Sequence, residues 1–206
     1  MGIRFAPRKI RVSKNYLWHM KDCQFEDRRT GVRRNDCEYE AKVDVYEDRV
    51  RTWFLDWAAN LVHTDRVDDG VSPGDYVALS VALAYIEGVE QYRGGGKSGL
   101  GSQALFEASA IRILPTESHD AIPMLYVTTR CGLFHTGFTE DKVYISHNYS
   151  RALELRADGE LRIDPARFVG LVLKDFEEYV QDLRADRSSE LAQQFEKLWD
   201  QRWATS

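Results

Sequence analysis

The stretch Leu125-Tyr126-Val127-Thr128-Thr129-Arg130-Cys131-Gly132-Leu133-Phe134-His135-Thr136-Gly137 sets an arginine, a histidine and two glycines at the end of an apolar run. Pro123 opens this run as a helix, because proline is preorganised for a first helical position. Met124, Leu125, Val127, Leu133 and Phe134 supply its packing residues. Arg130 is a permanent cation whose planar fork of donors matches a phosphate or carboxylate, and His135 changes charge near neutral pH. Residues five apart lie roughly 140° from one another around a straight helix. A shared site therefore requires the helix to distort or end between Gly132 and Gly137, as glycine permits, or a second subunit to complete it.

Helical periodicity continues on both sides of this segment. Upstream, Val43, Tyr46, Val50, Trp53, Phe54, Trp57 and Leu61 recur at steps of three and four, which predicts a helix over 39–62 with Trp53 and Trp57 as core anchors. Ser72, Pro73 and Asp75 form the start signal of a central helix, apolar nearly all round, that carries Glu87 and Glu90 near its end. A further helix runs from Ser102 to Leu114 and stops at Pro115. Downstream the pattern changes to short alternating pieces, and the two flanking Ala157-Asp158-Gly159 predict a hairpin at 152–163. Asp164-Pro165 and Ser188 open two final helices, and Trp203 is left over as interface material.

The chain has 206 residues, enough for one domain with one core, and its 43% hydrophobic and 30% charged composition is that of a soluble globular protein. The longest apolar run is too short to cross a bilayer, and no signal-peptide pattern opens the chain, so a cytoplasmic protein without membrane partners is expected. Cys23, Cys37 and Cys131 have neither disulfide-framework nor zinc-site spacing, so neither metal nor cofactor is expected. The net charge of −5 is unevenly spread: residues 1–34 carry +7 and the remainder −12. Residues 1–38 read as an irregular basic arm. Its Arg8, Lys9 and Arg11 are candidate RNA contacts, or the arm docks on the acidic body. The run Arg93 to Gly101 contains Gly-Lys-Ser but lacks the first glycine and the preceding strand of a phosphate loop; it reads as a connector in which Lys97 reaches an RNA backbone.

The pattern Arg130, four residues, His135, then Thr136-Gly137 resembles the arginine-to-histidine signature of the HEPN superfamily. A second pair, Arg112 and His119, has similar spacing but is interrupted by Pro115. The resemblance spans about 39–183 and implies a mainly α, HEPN-like helical bundle over 39–206, decorated by the late hairpin. It further implies a homodimer with two copies of the motif about its axis, and metal-independent ribonuclease activity of the toxin and defence type, with RNA as substrate and a protein antitoxin or regulator as partner. Arg130 and His135 are then the catalytic pair, with Glu87, Cys131, Thr136 and His147 as supporting candidates. The family often places a polar residue after the arginine, whereas Cys131 stands here. This departure, with the acidic body, favours the alternative of a non-catalytic module binding a nucleotide, RNA or a protein.

Overall fold

The computed structural model describes residues 9–63, 70–96 and 101–203. Four short strands come first: β1 (Lys9–Arg11), β2 (Tyr16–His19), β3 (Gln24–Asp27) and β4 (Arg33–Asn35), an antiparallel meander in the order β1-β2-β3-β4. This corrects the expectation of an irregular arm. Arginine-rich strands of three or four residues are too brief for alternation to stand out in the sequence. The register nevertheless aligns Ile10, Trp18, Phe25 and Arg34 in one row. From that row Trp18 and Phe25 meet the Trp203 ring edge-on, with centroids 5.2 and 5.8 Å apart. The sheet thus joins the same hydrophobic core as the helices, and Trp203 is used inside the chain rather than left for an interface.

Helix α1 (Tyr39–Val50) passes through a π-helical segment, Arg51–Leu55, into α2 (Asp56–Leu61). The helical run expected over 39–62 is present, but its buried face is shifted. Wider i→i+5 turns advance the chain less per residue around the axis, so from the last residue of the π segment onward the buried set is Leu55, Ala58 and Val62. Phe54 and Trp57, each one residue earlier, face outward, Trp57 with 63% of its surface exposed. Trp53 is half-buried beneath the Arg49 guanidinium, 5.3 Å from its ring centroid. Neither tryptophan is the core anchor that straight-helix periodicity predicts.

Helix α3 (Pro73–Arg93) begins as expected, with the Ser72 hydroxyl accepting from the Gly74 amide and Asp75 Oδ2 accepting from the Ser72 amide. It is central, packing against α2, α4 (Ser102–Ile113), α7 (Pro165–Ala185) and α8 (Glu190–Trp203). Ala78, Leu79, Ala82, Leu83, Ile86 and Val89 are buried, whereas Tyr76 and Val77 are exposed, so the helix is not apolar on every side.

A 3₁₀ turn, Thr116–Ala121, leads into the motif helix, which comprises α5 (Ile122–Met124), a π-helical segment Leu125–Cys131 and α6 (Gly132–His135). Val127 and Phe134, expected as packing residues, are exposed; here too a π segment moves the buried face. The hairpin follows as β6 (Leu153–Leu155) and β7 (Leu161–Ile163), with Gly159 at φ +82° in its turn. Strand β5 (Val143–Ile145) adds parallel to β7 and gives the order β5-β7-β6. The architecture is mainly helical with two small sheets. Among the described residues no helix is long and apolar enough to cross a membrane.

Candidate functional site at the end of the motif helix

Arg130 leaves the π-helical segment toward α3 and α4. Its Nη2 donates to Glu87 Oε2 at 2.6 Å and lies 3.5 Å from Ser102 Oγ, and that hydroxyl donates to Glu87 Oε1 at 2.6 Å. The guanidinium also lies over two rings of its own helix, 5.5 Å from the Tyr126 centroid and 5.0 Å from that of Phe134. Residues four before and four after the arginine therefore form one stripe with it. Desolvation weighs against the charge of Arg130, but the Glu87 carboxylate outweighs it and raises the guanidinium pKa above its ordinary value. Nε of Arg130 is buried without a hydrogen-bond partner. The result is an oriented cation with 18% of its side chain exposed, matched by 18% for Glu87.

His135 is the last residue of α6; it is exposed, and its side chain has no hydrogen bond or ion pair among the described residues. The chain reverses just beyond it. Thr136 Oγ1 donates to the Gly132 carbonyl at 2.9 Å, Gly137 takes φ +77°, and the Glu140 amide donates to the Thr128 carbonyl at 3.1 Å. Gly132 permits this return: a Cβ there would sit 2.4 Å from the Phe138 carbonyl oxygen. The distortion expected between Gly132 and Gly137 is a tight reversal after Thr136, and a π segment that the sequence did not signal, Leu125–Cys131, precedes Gly132.

The supporting candidates are distributed unevenly. Glu87 is brought to Arg130, as above. Cys131 is half-buried. The Thr136 hydroxyl is committed to closing the reversal. His147 belongs to a different construction: its Nε2 donates to Asp75 Oδ1 at 3.0 Å, and its side chain is only 4% exposed. It braces the start of α3, which gives its ring a structural task. Its Nδ1 is buried without a partner. Position alone, just past a strand, hid this from the sequence, because the Asp75 partner is 72 residues away.

Among the basic candidates, Arg8 and Lys97 lie outside the described residues. Lys9 stands 3.9 Å from Glu26, and Arg11 gives its Nε and Nη2 to the carbonyls of Ser13 and Lys14 at 3.2 and 2.8 Å. Glu26 also accepts from buried His19 at 2.6 Å and from Arg33 at 3.1 Å. These contacts make much of the basic sheet self-neutralising. The second arginine-histidine pair is structural: Arg112 pairs with buried Asp175, and His119 donates to the Leu114 carbonyl at 3.1 Å.

Sequence reasoning passed over three contributors to the Arg130 setting. Ser102 read only as the start of α4, Tyr126 only as part of the motif stretch and Phe134 only as a packing residue, although the spacing of four on either side of Arg130 is the signal for the stripe. Among the described residues no group of three or more histidine, cysteine, aspartate or glutamate side chains is placed to hold a metal ion. No family model, curated protein or solved structure matches this chain.

Proposed function

We propose that this chain is an endoribonuclease whose site is built on Arg130 and His135, in a HEPN-like helical bundle. The observation that carries the reading is the pairing of an oriented guanidinium with an exposed, unengaged histidine at the end of the same helix. RNA supplies its own nucleophile. A base removes the proton of the 2′-hydroxyl, the 2′-oxygen bonds to phosphorus, the bond to the 5′-oxygen breaks, and an acid protonates that leaving oxygen. The products are a 2′,3′-cyclic phosphate and a free 5′-hydroxyl. His135 serves as one of the two proton carriers, a contribution of about 10²–10⁴ in rate. Arg130 has five N–H donors; those left by Glu87 and Ser102 bind the phosphate and favour its more highly charged transition state. A second copy of the chain about a twofold axis supplies the other histidine.

One feature favours a second reading, a non-catalytic module that binds RNA or protein. Glu87 neutralises Arg130 at 2.6 Å, which lowers the cation's hold on a phosphate. Substrate chemistry separates the two. Under the nuclease reading, an oligoribonucleotide is cut to cyclic-phosphate ends, and the same strand with 2′-deoxy sugars throughout survives. Binding of the ribonucleotide strand without turnover supports the second reading.

A further inference from the structure

Phe138 has 76% of its surface exposed, more than any other large apolar side chain among the described residues. Leaving a phenyl ring in water is unfavourable, yet the backbone that carries this one is fastened on both sides. The Phe138 amide donates to the Thr136 hydroxyl at 3.3 Å, that hydroxyl donates to the Gly132 carbonyl at 2.9 Å, and Gly137 between them holds φ +77°. Two residues later the Glu140 amide is tied to the Thr128 carbonyl at 3.1 Å. The Phe138 carbonyl oxygen lies against Gly132, where a Cβ would sit 2.4 Å from it. The motif helix, rather than apolar packing, therefore sets where the ring stands.

That place is beside the proposed chemistry. Three residues take the chain from His135 to Phe138, a span of at most about 10 Å even when extended, and the reversal shortens it. Phe134, four residues earlier, already has the Arg130 guanidinium over its ring at 5.0 Å. Phe138 has no ring or cation partner among the described residues, so its faces are open. Exposed Glu140 and Asp141 follow it. Carboxylates repel a phosphate, so this end of the site suits the base of a nucleotide and leaves the phosphate to Arg130. Cleavage calls for such a base. The 2′-oxygen must come into line with the bond to the leaving 5′-oxygen, an alignment that regular stacking opposes, and a base beside the scissile phosphate has to leave its stack.

We infer that Phe138 stacks the unpaired nucleobase flanking the scissile phosphate of single-stranded RNA, and so holds the strand while Arg130 takes the phosphate and His135 a proton. The inference rests on the ribonuclease reading and names its substrate class: a strand with a base free to leave its stack, not a duplex. Stacking of this kind accepts any base, since every base has a π face.

The test uses a short fluorescent 2′-O-methyl RNA single strand, which lacks the nucleophile and so survives any nuclease, and the same strand with its bases removed. The full chain is compared with Phe138→Ala, Phe138→Leu and Phe138→Trp; circular dichroism and urea midpoints confirm that each is folded. The unmodified protein is expected to bind the strand with bases about 5- to 100-fold more tightly than the abasic one. Phe138→Ala should lose that preference and keep its affinity for the abasic strand. Phe138→Trp should retain it, and Phe138→Leu, apolar but without a π face, should not. Absence of binding, equal binding of the two strands by the unmodified protein, full affinity in Phe138→Ala or Phe138→Leu, or an altered oligomeric size in Phe138→Ala overturns the inference. Cleavage of ordinary RNA is followed in parallel. Phe138-dependent binding by a protein that cuts nothing keeps the base site and removes the nuclease reading; cutting that is indifferent to Phe138→Ala does the reverse.

Discussion

Replacing Glu87 with glutamine tests how far Arg130 is committed to the fold. The pair is 2.6 Å long, each side chain is 18% exposed, and Glu87 also accepts from Ser102. Exposed ion pairs are worth about 0–1 kcal/mol, whereas breaking a fully buried pair costs about 3–5 kcal/mol. This pair lies between those limits, and partial solvent access places the loss at about 1.5–3 kcal/mol. Glutamine keeps an acceptor for Ser102, so the change removes the charge and the hydrogen bond to Arg130 together. A double-mutant cycle with Arg130→Met removes the remaining ambiguity, and its coupling energy is expected at about 1–2 kcal/mol. Equilibrium urea unfolding measures it, with tryptophan fluorescence and circular dichroism required to coincide so that two-state treatment is justified. The coupling should survive about 0.5 M salt in large part, because partly buried charges are weakly screened. A coupling below about 0.3 kcal/mol would falsify the clamp and leave Arg130 a free surface cation.

Three other perturbations probe the frame around the site. Asp75→Ala removes the acceptor of both the Ser72 amide and buried His147; a loss of about 2–4 kcal/mol is expected from the missing cap and two stranded donors, and Asp75→Asn should lose less. Gly132→Ala forces a Cβ against the Phe138 backbone. It should destabilise the protein by about 1–3 kcal/mol and increase amide exchange at Glu140, and unchanged exchange there would contradict the close approach. Acid titration should expose two carboxylates held below their ordinary values. At Asp27 the Arg29 hydrogen bond lowers the pKa; at Glu26 the opposing desolvation is overcome by the His19 hydrogen bond and the charges of Lys9 and Arg33. Their stabilisation is complete above the ordinary values of 3.8 and 4.5 and disappears as the pH falls through the lowered native ones. Arg29→Ala should therefore flatten the acid limb of the stability curve, as followed by urea midpoints.

What the sequence disclosed and what it hid follow from the range of the interactions. The capping signal of Ser72 and Asp75, the stop at Pro115 and the turn at Gly159 act within a few residues, and each is where local chemistry placed it. The late hairpin was legible for the same reason. Faces of the long helices were not, because one π segment displaces every later residue: Leu55, Ala58 and Val62 took the places expected of Phe54, Trp57 and Leu61. The N-terminal sheet was hidden in strands of three and four residues whose apolar members, Trp18 and Phe25, are fixed by Trp203 at the far end of the chain. At the site, Arg130 and the nearby acid Glu87 were both identifiable as candidates, but their contact crosses 43 positions and only the packing of the motif helix on α3 reveals it. His147 shows the converse, a histidine whose buried partner Asp75 lies 72 positions away.

The central claim is that His135 and Arg130 act on RNA, and His135 gives the cleanest test because it has no partner among the described residues to lose. Unmodified protein and His135→Ala, shown to share one urea midpoint, are incubated with mixed RNA in excess EDTA and the ends are analysed. The account predicts cyclic-phosphate products from the unmodified protein and at least about a hundredfold slower cleavage by the variant. Equal cutting by the two proteins, or none by either, contradicts it.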